Sequence, residues 1–116
     1  MAVSGKYRRH IKYKERTYVW YVCEDDDYCG WEMLHIISED KCLILTLPLR
    51  IQPSYIISQG RIFQGQRNEK GCWRRYLTPK WDNRTVTPGL VARVIEWATE
   101  GDSAEEVAWS RDNFRF

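Results

Sequence analysis

Between Thr17 and Leu47 apolar residues recur every second position or in short continuous runs, and after Thr87 the period lengthens to that of a helix. Residues 8–14 (RRHIKYK) are polar apart from Ile11 and Tyr13, spaced by two, which predicts an outer strand. Lys14-Glu15-Arg16 reads as a tight turn. Residues 17–23 (TYVWYVC) are β-branched or aromatic throughout and predict a strand packed on both sides. The acidic run before Gly30 reads as a loop, because its carboxylates repel and glycine accepts positive φ. In residues 31–38 (WEMLHIIS), Glu32, Leu34 and Ile36 share one face while Met33, His35 and Ile37 share the other. Ser38 to Lys41 is polar, and 42–47 (CLILTL) is apolar again, so 31–47 is expected to be a hairpin. Pro48 lacks a backbone donor and should end that strand or put it at an edge.

Further along, 55–57 and 61–63 read as short strands flanking Gly60, as in another hairpin. The segment from Gly65 to Gly71 reads as a polar loop, and 72–78 (CWRRYLT) as a last strand before Pro79. Thr87-Pro88 then supplies a capping hydroxyl followed by proline at the first helical position. Leu90, Val91, Val94, Ile95 and Ala98 form one apolar stripe, and Gly101 is a stop signal. Burying the stripe is expected to contribute ~5–10 kcal/mol before conformational entropy is subtracted. Ser103 with Glu106 is a capping-box pattern, which predicts a second short helix. Strands followed by a helix indicate an α+β fold: an antiparallel sheet of about five to seven strands packed by one C-terminal helix.

With 116 residues, no internal repeat and no low-complexity linker, a single domain spanning 1–116 is expected, with flexible ends at 1–5 and 111–116. Six Trp and seven Tyr supply ample core and exclude general disorder. The longest apolar run, Cys42 to Leu49, is far too short for a bilayer span, so no membrane association is expected. Residues 1–14 contain no apolar leader segment, so a cytoplasmic protein of bacterial or phage type is expected. Cys23, Cys29, Cys42 and Cys72 are then expected to be free thiols. Their spacing lacks the close cysteine pairs of structural zinc sites, so packing is the expected role and no metal or cofactor is predicted.

The net charge is only +2, but charge is blocked along the chain. Lys6 to Arg16 and Arg61 to Arg84 are basic, whereas Glu24 to Asp27 and Glu96 to Glu106 are acidic. No nucleophile elbow, zinc-protease, phosphate-loop or dinucleotide motif occurs, and no enzyme signature is found. His10 and His35, joined by Arg74, would be needed for acid–base cleavage of RNA; two histidines make a thin basis for it.

A non-enzymatic binding or interaction module is the expected function. Two sets of residues are candidates. Basic and aromatic residues interleave at Tyr7 to Lys14 and at Trp73 to Trp81, the composition used for single-stranded nucleic acid, with Arg8, Arg9, Lys12, Lys14, Arg74 and Arg75 as contacts. Alternation puts Arg8, His10, Lys12 and Lys14 on one face of the first strand and Arg9, Ile11 and Tyr13 on the other, so the aromatic face can instead serve the core. The second set, the acids Glu24 to Asp27, the acidic helix end from Glu96 to Glu106 and the tail Phe114-Arg115-Phe116, would dock a protein partner or a second copy; pairing of the first strand with its copy is a further route to self-association.

Overall fold

The computed structural model describes residues 8–25, 31–50, 54–67, 74–82, 85–102 and 104–106. Strands β1 (Arg9–Tyr13), β2 (Arg16–Asp25), β3 (Trp31–Ser38), β4 (Ile44–Pro48), β5 (Tyr55–Ser58) and β8 (Arg74–Leu77) form one sheet in the order β1-β2-β3-β4-β5-β8. Every neighbouring pair is antiparallel. Strands β6 (Ile62–Phe63) and β7 (Gln66–Arg67) make a separate small hairpin, and α1 runs from Pro88 to Glu100. The architecture is α+β, with the helix C-terminal to the sheet.

The local chemistry accounts for the turns. Tyr13 pairs with Arg16, leaving a two-residue loop in which Lys14 and Glu15 both have positive φ, 48° and 65°. Tight loops of this kind match the right-handed twist of the flanking strands. Between β3 and β4, Ser38 donates its hydroxyl to Asp40 at 2.6 Å, and Asp40 accepts the Cys42 amide at 3.0 Å. Those two bonds, the Ser38 hydroxyl first, hold the Asp40 carboxyl below its usual range.

One face of the sheet carries Ile11, Tyr18, Trp20, Leu34, Ile36, Leu45, Leu47, Ile56 and Tyr76, and α1 lies on it with Leu90, Val91, Val94, Ile95 and Ala98. Thr87 accepts the Leu90 amide at 3.1 Å and Pro88 follows, as the capping pattern predicts. Gly101 ends the helix by close approach and not through left-handed backbone. Its φ is −69°, and an added Cβ would collide with Gln64 and the Trp97 carbonyl.

Three expectations change, the first being that Gln66–Arg67, read as part of a polar loop, form a strand. The 61–63 strand leaves the main sheet and pairs with 66–67, whereas Tyr55–Ser58 pairs with β4 and β8. Gly60 makes the redirection possible: a Cβ there would collide with the Cys42 carbonyl, which accepts both the Arg61 and Ile62 amides. The second short helix expected from Ser103 is not formed at residues 104–106. Residues 104–106 run along the outer edge of β8 instead, with Glu106 bridged to Tyr76 and the Leu77 amide donating to the Glu105 carbonyl at 2.9 Å. That pairing satisfies edge groups which a helix would leave open. The expected flexible ends, 1–5 and 111–116, lie outside the described residues.

Truncating Ile95, fully buried in the stripe, is expected to cost about 2–5 kcal/mol in denaturant unfolding. Gly60→Ala should also lower the unfolding midpoint, because its new methyl meets backbone with no side chain able to yield.

Candidate functional site

The register puts alternate residues of every strand on the sheet face opposite α1. Tyr21 is paired with His35, His35 with Thr46, Thr46 with Ile57, and Ile57 with Arg75. Arg8, one residue before β1, extends this row and lays its guanidinium over the Tyr21 ring, 4.9 Å from the centroid. On the other side of Tyr21, the His35 ring stacks at 4.9 Å and 20°. Thr46 Oγ1 and His35 Nδ1 are 3.3 Å apart. A continuous row therefore crosses the sheet: guanidinium, phenol, imidazole, hydroxyl.

The rings stand upright on the sheet, because stacked neighbours on adjacent strands must have their planes across the strand-to-strand direction. Both faces of Tyr21 are occupied and only ring edges point outward. The parallel row, His10, Val19, Ile37 and Ile44, adds an apolar strip beside it. His10, Lys12 and Arg8 are exposed, while Val19, Tyr21, Cys23, His35, Ile37, Ile44 and Thr46 are half-buried. Towards β5 and β8 the same face closes over, with Tyr55, Ile57 and Arg75 buried, as are Met33 and Pro48 at one end of β3 and β4.

The six basic contact candidates are not brought together. Arg8 and Lys12 lie on this face, whereas Arg9 lies on the helix-covered face with its guanidinium 5.9 Å from the Trp20 centroid. Lys14 sits in the β1–β2 turn, ion-paired with Glu100 at 2.8 Å. Arg74 falls on the helix side and meets Glu106 at 3.4 Å. Arg75 is 1% exposed, with its guanidinium 4.5 Å from the Tyr55 centroid, so as a surface contact it is corrected to a buried residue. Strands β1 and β8 are opposite edges of the sheet, five spacings or ~24 Å apart. The two basic segments therefore do not merge into one patch.

The proposed histidine pair is not assembled either. His10 and His35 share a face, but β2 runs between their strands and Arg74 is on the other side of the sheet. Cys23 and Cys42 are half-buried, and no cluster of three possible metal ligands occurs among the described residues. Among those residues no helix is long and apolar enough to cross a membrane. Tyr7, Cys29, Cys72, Trp73, Asp26, Asp27, Phe114 and Phe116 lie outside them, as does the side chain of Asp25.

A second polar cluster ties the β1–β2 turn to the end of α1. Tyr13 donates its hydroxyl to Glu100, which also pairs with Lys14, beside a cavity of about 370 Å³ lined by Arg16, Tyr18, Ile62 and Thr99. The hydrogen bond to Glu100, followed by burial, pushes the Tyr13 phenol up to about 12. The Lys14 and Tyr13 hydrogen bonds hold the Glu100 carboxyl low. Burial raises the Tyr18 phenol, with no basic partner large enough to offset it.

Sequence reading missed Tyr21 as a surface residue. Its signal is present in the alternation of TYVWYVC, where Val19, Tyr21 and Cys23 oppose Tyr18, Trp20 and Val22. What alternation lacks is which set faces the helix. Comparison with protein-family models, curated proteins and solved structures finds no match.

A pH titration of the tyrosine rings by NMR is expected to find Tyr13 deprotonating near about 12, and Glu100→Gln to bring it back towards 10.0. Because the folded phenol titrates above the unfolded one, stability from this contact is complete below pH 10.0 and is lost as pH rises through about 12. The lowered Glu100 carboxyl works in the opposite direction: its contribution is present above 4.5 and is lost as pH falls.

Proposed function

We propose that this protein is a non-enzymatic interaction module which binds a protein partner through the sheet face opposite α1, centred on Arg8, Tyr21 and His35. The observation that carries the reading is the stacked Arg8–Tyr21–His35 row beside the half-buried Val19, Ile37 and Ile44. Tyrosine and arginine dominate binding hot spots, and rings already held by their neighbours lose little entropy when a partner arrives. The apolar strip supplies the centre of such a surface, and Arg8, His10 and Lys12 supply a polar rim. The basic rim favours an acidic margin on the partner.

Self-pairing through β1 is disfavoured. Two copies of this edge placed side by side would bring together two strands that each carry Arg8, Arg9, Lys12 and Lys14 and no acid between residues 8 and 14, and like charges across strands repel. A single-stranded nucleic acid is the second reading. Arg8, His10 and Lys12 line one edge, and no side chain described within the strands on that face is acidic. Against it, the Tyr21 ring already has a neighbour on each side, so a base would have to displace Arg8 to stack there.

The test is site-specific photo-crosslinking in the source cells, with the probe at Ile37 and a control at Gln66 on the small hairpin. A discrete protein adduct at Ile37 and none at Gln66 is expected. Equal yields at both positions, or none at Ile37, would contradict the reading. Nucleic-acid adducts at Ile37 would favour the second reading, which further requires that affinity for a single-stranded oligonucleotide fall steeply with salt.

A further inference from the structure

The opposite side of the molecule holds a cleft of about 520 Å³ at the C-terminal end of α1, lined by Trp81, Trp97, Glu96, Glu100 and Arg93. Its volume is within the range of small-ligand sites. Trp97 comes from the last turns of the helix and Trp81 from the segment between β8 and α1. Their rings stand at 86° with centroids 5.4 Å apart, so the two indoles form adjoining walls of a corner. Both walls are fixed. Phe63 packs edge-on against Trp97 at 5.4 Å, and the Trp97 carbonyl accepts bonds from Gln64 Nε2 and the Gly101 amide. The Trp81 amide turns back onto the Pro79 carbonyl at 3.0 Å.

The electrostatics of this corner are independent of its shape. The C-terminal end of a helix carries partial negative charge, which cationic side chains in the last turn normally complement. Here the last turn contains no basic residue and carries Glu100, with Glu96 one turn before it. Glu100 is shared with Lys14 and Tyr13 from β1 and its turn, whereas Glu96 is exposed and meets no ion-pair partner among the described residues. Among the described residues that line the cleft Arg93 is the one cation, and no cation–π contact joins it to either indole. Two fixed indole walls beside a negative helix end are the physical elements of an organic-cation site: the ring faces attract a desolvated ammonium and the carboxylate balances its charge.

We propose that the Trp81–Trp97 corner binds a quaternary ammonium group, with Trp81 and Trp97 as walls and Glu96 as the counter-charge. A quaternary ammonium suits it better than a primary one, since methyl groups shed water cheaply against indole while three N–H donors would demand acceptors the walls lack. The ligand class is therefore a trimethylammonium compound, reaching the cleft either as a free small molecule or as a methylated lysine side chain.

The experiment is an NMR titration of the two indole N–H resonances in the intact protein with choline, with a trimethyllysine peptide, and with 3,3-dimethylbutanol, the neutral isostere of choline. Saturable shifts of both resonances by a cation are expected, at least about fivefold tighter than for the isostere. Tighter binding of choline identifies a free ligand, and tighter binding of the peptide identifies a protein-borne one; either supports the site. Trp81→Ala should abolish the shift of Trp97. Because Trp81 also packs against the core, Trp81→Phe and Glu96→Gln serve as fold-preserving variants, each expected to weaken binding severalfold with an unchanged circular dichroism spectrum. Absence of saturation by either cation, equal affinity for the isostere, or unchanged affinity in Glu96→Gln and Trp81→Phe would overturn the proposal.

Discussion

One thirteen-residue helix cannot cover both faces of a six-stranded sheet, and the rest of this molecule follows from that constraint. The helix is ~20 Å long and ~10 Å across, while the sheet is ~24 Å wide. The helix-side face is accordingly apolar, with Leu34, Ile36, Leu45, Ile56, Val94 and Ile95 fully buried. Across the sheet, the other face grades from buried at β5 and β8 to half-exposed or exposed from β1 to β4, apart from the buried pair Met33 and Pro48. Its side chains there are those that tolerate partial wetting: an arginine over a tyrosine, a histidine beside a threonine, and scattered β-branched residues. A binding reading fits this face because it combines apolar area with polar edges without needing to be sealed.

The small hairpin has a structural role the main sheet cannot fill. Its turn, Gln64 and Gly65, has positive φ at both residues, and it brings two bonds to the end of α1 and one to the segment that follows. The Gln64 amide donates to the Ala98 carbonyl, its Nε2 donates to the Trp97 carbonyl, and its Oε1 accepts from the Ala104 amide. Helix ends leave four carbonyls without partners, so a neighbouring turn that supplies donors stabilises the last turn without a left-handed cap. The same contacts hold Trp97 at the mouth of its cleft, which links the stability of the helix end to the shape of a candidate ligand site.

Strands β2, β3 and β4, the hairpin between the last two, and the helix with its Thr87 cap were legible in the sequence. Each combines a clean period with turn or cap residues at its ends. The 61–67 region was not, because strands of two residues have no period and Gly60 redirects the chain through a backbone contact 18 residues away in sequence. Ser103 and Glu106 make a capping-box pattern in the sequence, yet at residues 104–106 the open edge of β8 outcompetes a helix by offering ladder hydrogen bonds. Arg74 and Arg75 show the limit of alternation most plainly. Adjacent in sequence, they point to opposite faces, and only packing decides that one meets Glu106 while the other is buried against Tyr55.

The central claim is that the sheet has one sealed face and one accessible face. Methyl relaxation in the presence of a soluble paramagnetic gadolinium chelate measures this directly. Strong broadening of the Val19, Ile37 and Ile44 methyls, with Leu34, Ile36 and Leu45 protected, is the predicted result. Equal protection of both sets would contradict the account, since the face assigned to binding would then already be covered.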